Sequence, residues 1–134
     1  MTAALKAAVV YCIAGFAFGF LLGVIRVSIF APRTGALLAV LIEVPIMLAA
    51  LWPLCGIVIR QLEVPRNTLS RLVMGGAAFA LLMVVEVVFS KMIFSQSPMD
   101  FIAGLTTSAG ALGLAGQVTF GLFPMLRMSL TEHR

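Results

Sequence analysis

Three charged residues stand inside long apolar runs of this sequence: Arg26, Glu43 and Glu86. A guanidinium and two carboxylates support two kinds of chemistry in such a setting. They form an inert ion pair that fixes how helices sit against one another, or they hold a carboxylate that takes up and releases a proton. Either role needs compensation, because a charged group in the core of a bilayer costs about 3 kcal/mol on insertion scales. Seven residues return a helix nearly to the same face. Arg26 lies seven from Gly19, Glu43 seven from both Ala36 and Ala50, and Glu86 seven from Phe79. Arg26 and Glu43 therefore share faces lined by small residues, and Glu86 joins them. The expectation is an Arg26 pair with Glu43, with Glu86, or with both. One arginine cannot neutralise two carboxylates, so the second must be protonated, reach Lys91 or Arg33, or face water in a cavity.

The elements that position these groups follow from composition. Of 134 residues, 62% are hydrophobic and only 10% charged, whereas soluble domains carry about 25% charged residues. So small a globule cannot hide that apolar excess, and lipid must cover it. A helix crossing the hydrocarbon needs about 20 apolar residues, and four segments meet that length. The first spans residues 4–30, ended by Pro32. The second spans 34–59, capped by Thr34 and interrupted by Glu43, with Pro45 and Pro53 inviting a kink. The third spans 71–94, after the polar link Arg60 to Ser70 in which Asn67 or Ser70 can cap. The fourth spans 100–127, capped by Asp100. The expected fold is an all-α integral membrane protein, a single domain over 1–134 built as an up-down-up-down four-helix transmembrane bundle. At 1.5 Å rise per residue, Arg26 lies about 6 Å and both carboxylates about 12 to 13 Å from the outer helix ends.

Flanking charges set the orientation. One side collects Lys6, Arg60, Arg66, Arg71, Arg127 and Arg134, the other only Arg33 and Lys91. That imbalance predicts both termini in the cytoplasm. The first segment is read as retained, since it is too long for a signal peptide and lacks a small-residue cleavage site.

Within lipid, small residues mark contact faces because the hydrophobic effect does not draw helices together there. Gly15, Gly19 and Gly23 form such a stripe on the first helix, either within the chain or between copies. On the fourth, Ala109, Gly113, Gln117 and Gly121 form another, in which the Gln117 amide is expected to bond a neighbouring helix.

Other chemistries find no residues. The nine Lys and Arg against five Asp and Glu are scattered at segment ends, without the basic face interleaved with aromatics that nucleic acid requires. The only histidine is His133, so a bis-histidine haem is excluded. Cys12 and Cys55 lie in apolar runs and read as core residues, and no metal-site spacing occurs. GxSxG, HExxH and P-loop motifs are absent. No catalytic residue, metal or cofactor is expected.

The pattern Gly19-Phe20-Leu21-Leu22-Gly23-Val24-Ile25-Arg26, then Pro32, Arg33, Gly35, Glu43-Val44-Pro45, Arg71, Gly75, Glu86 and Gly113-Leu114-Ala115-Gly116-Gln117, resembles small bacterial four-span membrane proteins that carry no assigned function. The resemblance covers most of the chain and implies the fold alone. The leading expectation is a non-enzymatic accessory or assembly subunit of the bacterial inner membrane, with Arg26, Glu43 and Glu86 as its polar centre. The alternative is a small homo-oligomeric proton-coupled transporter or channel. Expected partners are the lipid bilayer and either another membrane protein or further copies of the chain. A transporter needs a water-accessible path to the carboxylates; an accessory subunit needs an apolar face matched to a partner, for which the uncharged fourth helix is the candidate.

Overall fold

The computed structural model describes residues 2–95 and 97–132; His133 and Arg134, used above for haem and for charge asymmetry, lie outside the described residues. All regular structure among them is helical. Helix α1 runs Thr2–Ile25, continues as a wide π-helical turn over Arg26–Phe30, and ends in the short α2, Ala31–Thr34. Helix α3 is Ala36–Gln61, α4 Thr68–Phe94, α5 Pro98–Gly104 and α6 Ser108–Glu132. Four of these helices are long and apolar enough to cross a membrane, within Thr2–Ile29, Leu37–Gln61, Thr68–Met92 and Ser108–Ser129.

The ends of the helices differ from the expected ones in instructive ways. The helical path does not stop at Pro32. The π-helical turn just before it already breaks the regular hydrogen-bond ladder, so the missing proline N–H costs little there. The break falls instead at Gly35, whose φ of +86° is open to glycine and strained for other residues. Gly35, not Thr34, is the N-cap of α3, and no side chain caps that end. Asn67 caps α4, its Oδ1 accepting from Ser70 N at 2.8 Å. At α5 the cap is Ser97. Its Oγ accepts from Asp100 N while Asp100 Oδ2 accepts from Ser97 N, a reciprocal capping box that moves Asp100 into the first turn.

The expected fourth helix is two helices. After Gly104 the chain turns through Leu105 to Thr107, where the Thr106 and Thr107 hydroxyls donate to Ala103 O and Gly104 O. Thr107 Oγ1 then accepts from Gly110 N at 3.0 Å and caps α6. A Cβ at Gly110 would overlap the Gly104 carbonyl, so the turn closes on a glycine.

The long helices pack in the ring order α1, α4, α6, α3, which places α3 beside α1 and α6 and leaves it without an extended interface to α4, its successor in the chain. The buried core sits in one half of the molecule. It draws Ala4, Ala7 and Tyr11 from α1, Leu51 and Cys55 from α3, Met74 and Ala78 from α4, and Phe120 and Phe123 from α6. The outer faces are apolar and uncovered, as at Val84 (60% exposed) and Met92 (76%).

Pro124 organises the centre of this core. It lacks the N–H that would bond the carbonyl four residues earlier, and a buried unpaired carbonyl is costly. Tyr11 meets the need: its hydroxyl donates to Phe120 O at 2.8 Å, and its ring stacks on Phe120 with centroids 4.0 Å apart. Arg71, 7% exposed, donates to Pro124 O at 3.2 Å and to Pro65 O at 3.3 Å, joining α6 to the α3–α4 link. Arg127 donates to Trp52 O at 2.9 Å and stands 4.8 Å from the Trp52 ring centroid, tying α6 to α3. Two residues counted as flanking charges, Arg71 and Arg127, thus also act as helix ties.

Candidate functional site: a polar cavity among the helices

Away from the core, the helices enclose a half-open cavity of about 700 Å³, a size typical of small-molecule sites. Every long helix contributes to it, and α5 with the following turn adds Phe101 and Leu105. Its polar side chains are Arg26, Ser28, Glu43, Glu86, Ser90 and Gln117; the rest of the wall is apolar or glycine.

Arg26 opens the π-helical turn, and its Nε lies 3.2 Å from Glu43 Oε2, so the end of α1 is paired with the start of α3. The pair is partly covered, with side-chain exposures of 32% for Arg26 and 14% for Glu43. The contact is an ion pair by distance only. The guanidinium N–H is not directed along the hydrogen-bond line, and Glu43 Oε2 is a buried oxygen that accepts no hydrogen bond from any described residue.

Glu86 stands apart from Arg26. Its Oε1 accepts a hydrogen bond from Gln117 Nε2, across the α4–α6 interface. The other end of the Gln117 amide, Oε1, is buried and accepts nothing from the described residues. Lys91 and Arg33 are exposed and reach neither carboxylate within ion-pair distance. The two carboxylates are therefore held differently, one against a cation and one against a neutral amide. Three phenylalanines line the same cavity: Phe89 of α4 meets Phe16 and Phe20 of α1 edge-on, at centroid distances of 5.6 and 5.4 Å.

The glycines divide by role. Gly15, Gly19 and Gly23 all border the cavity. A Cβ on Gly15 would press on the Phe120 ring, one on Gly19 would meet Met47 Sδ at 3.5 Å, and one on Gly23 would meet only the Arg26 side chain. A Cβ on Gly113 would meet nothing within 4 Å. On α1, Gly15 thus admits the Phe120 ring closely, while Gly19 and Gly23 leave room beside the cavity. The tight approach is between Gly75 of α4 and Gly121 of α6: a Cβ on Gly75 would overlap the Gly121 carbonyl, and one on Gly121 would lie 3.3 Å from Gly75 O. Gly121 belongs to the α6 stripe; for Gly75 the sequence offers only the Gly75-Gly76 pair inside an apolar run. The chain matches no family model, no curated protein and no solved structure.

Proposed function

We propose that this chain is a small multi-pass protein of the bacterial inner membrane that transports a small solute through the cavity described above, with proton exchange at its carboxylates, and works as a homo-oligomer. The observation that carries this reading is the cavity itself: about 700 Å³ of space reaches Arg26, Glu43 and Glu86 together. An inert ion pair fixing helix register needs no such space, and packed interiors rarely leave it. The reading also supposes an up-down-up-down bundle with cytoplasmic termini. Contact order supports it: Arg26 meets Glu43 near the α1–α3 connection, while Arg71 meets Pro124 and Glu86 meets Gln117, so positions advance along α4 as they recede along α6. Lys6, Arg60, Arg66, Arg71 and Arg127 against Arg33 and Lys91 support the orientation.

A non-enzymatic accessory or assembly subunit is the alternative. It draws on the exposed apolar faces of the long helices, which lipid covers equally well.

Cysteine accessibility separates the two. In a Cys12→Ala, Cys55→Ala background, Gly113→Cys and Met47→Cys each place a thiol on the cavity wall. A membrane-impermeant maleimide applied to vesicles of each orientation reports whether water reaches it. Labelling at both positions is the transport expectation; thiols that stay unlabelled from either side belong to a sealed, structural polar centre and end the transport reading.

A further inference from the structure

The cavity's hydrogen-bonding groups are unbalanced. Its cation, Arg26, is engaged with Glu43, and the Gln117 amide N–H is spent on Glu86. What is left over toward the open space is acceptor capacity: Glu86 lines the cavity and its second oxygen accepts no hydrogen bond from a described residue, whereas Gln117 Oε1 and Glu43 Oε2 are closed off within the wall. Once both carboxylates are ionised, as in the ligand-bound state, the three charged side chains sum to one negative charge. A ligand that matches this wall must bring positive charge and N–H donors together. A carboxylate oxygen accepts and does not donate, so a ligand lacking donors gains little there.

The rest of the wall selects the body of the ligand. Phe16, Phe20 and Phe89 line the same cavity, Phe89 edge-on to the other two, and such rings attract both apolar surface and an adjacent cation. A bare metal ion does not suit the site, because it requires several oxygens converging at fixed short distances, and no group of three metal-ligating side chains occurs among the described residues. An anion would bring no N–H donors and would stand against the Glu43 and Glu86 oxygens.

We infer that the cavity binds a protonated primary amine on an apolar, aromatic or alkyl body, its ammonium N–H groups on the Glu86 carboxylate and its body against Phe16, Phe20 and Phe89. This inference rests on the transport reading and specifies its substrate class. The exchange step is balanced: when the ammonium arrives, the Glu86 carboxyl gives up its O–H proton to water and becomes the counter-charge. No other bond is made or broken.

The test uses the full chain in lipid nanodiscs, with empty nanodiscs subtracting partition into lipid. Three probes of one shape are titrated calorimetrically: 4-phenylbutylammonium, its N-trimethyl counterpart, and 5-phenylpentanoate. The ammonium should bind, the trimethyl form should bind at least about tenfold more weakly for want of N–H donors, and the carboxylate should not bind. Binding should release up to about one proton per ammonium, read from its dependence on buffer ionisation. Glu86→Gln should weaken the ammonium at least about tenfold, while Lys91→Gln leaves it unchanged. Should Glu86→Gln fail to fold, the ranking of the three probes on the unaltered chain decides alone. Equal binding of the ammonium and trimethyl forms, or a preference for the carboxylate, overturns the amine assignment. A cavity that labels with maleimide but shows no amine preference refutes only this inference, whereas unlabelled thiols remove the transport reading with it.

Discussion

The contact between α4 and α6 makes the sharpest stability prediction, because two adjacent glycines face opposite environments. Gly75 is buried, and a Cβ there would fall inside the Gly121 carbonyl; a Cβ on Gly76, one residue on, would meet nothing within 4 Å. The obstruction at Gly75 is backbone, which no rotamer change can move. Gly75→Ala must therefore part the two helices, by more than about 1 Å, to restore ordinary packing distance. Overpacking of this kind costs about 1–3 kcal/mol. The same separation stretches the Arg71–Pro124 and Glu86–Gln117 bonds on either side along the interface. Gly76→Ala carries no obstruction and gains about 0.5–1 kcal/mol of helix propensity. The propensity gain is common to both substitutions, so their difference, about 1–3 kcal/mol, isolates the helix approach. Titration of the protein in mild detergent with dodecyl sulfate provides the assay. The fluorescence of Trp52, the sole tryptophan, reports it, since that ring packs edge-on to Phe123 of α6 at 5.1 Å. Equal unfolding midpoints for the two variants would refute the close approach.

Three further outcomes are expected. Tyr11→Phe keeps the ring stack but leaves the Phe120 carbonyl unpaired, costing about 1–2 kcal/mol in the same titration; Tyr11→Leu, losing the stack as well, should be worse. Arg71→Lys retains charge but cannot span Pro65 O and Pro124 O with one planar group, so it should lose at least about 1 kcal/mol; a variant as stable as the parent would show that charge alone matters there. Glu43→Gln strands Arg26, and Arg26→Gln strands Glu43. A double-mutant cycle over the pair should give a coupling of about 1 kcal/mol or more, against roughly zero for an Arg26 and Glu86 cycle, since the structure brings Arg26 to Glu43 alone.

The four long apolar segments are legible because a run of that length with so few charges leaves few alternatives to a long helix. Their ends are less so. Thr34 and Asp100 are plausible caps by residue type, yet Gly35 and Ser97 hold those positions, because the cap depends on backbone dihedrals and not only on an available oxygen. The division of the fourth segment into α5 and α6 is hard to read because no charge or proline marks it. The Thr106-Thr107-Ser108 run after Gly104 was the local sign, small polar residues able to bond their own backbone. Depth counting along the helices put Arg26, Glu43 and Glu86 in the same half of the molecule, and all three border one cavity. Which carboxylate faces Arg26 was left open by sequence, because helical phase gives the face of each helix but not its neighbour around the ring. The cavity is the least legible feature. It exists where helices fail to touch, and periodicity marks only faces that are small or apolar, whether they meet a partner or border space.

The ring order has a consequence for how the chain is made. Helices emerge from synthesis in the order α1, α3, α4, α6, but α3 does not settle against α4; two of the four extended interfaces, α4–α6 and α3–α6, await the last helix. Until α6 arrives, the Arg71 guanidinium lacks Pro124 O and the Tyr11 hydroxyl lacks Phe120 O. The final helix is thus a keystone. A chain halted before it holds a loose α1–α3–α4 assembly with stranded polar groups, the kind of half-built product that membrane quality control can distinguish from the finished one.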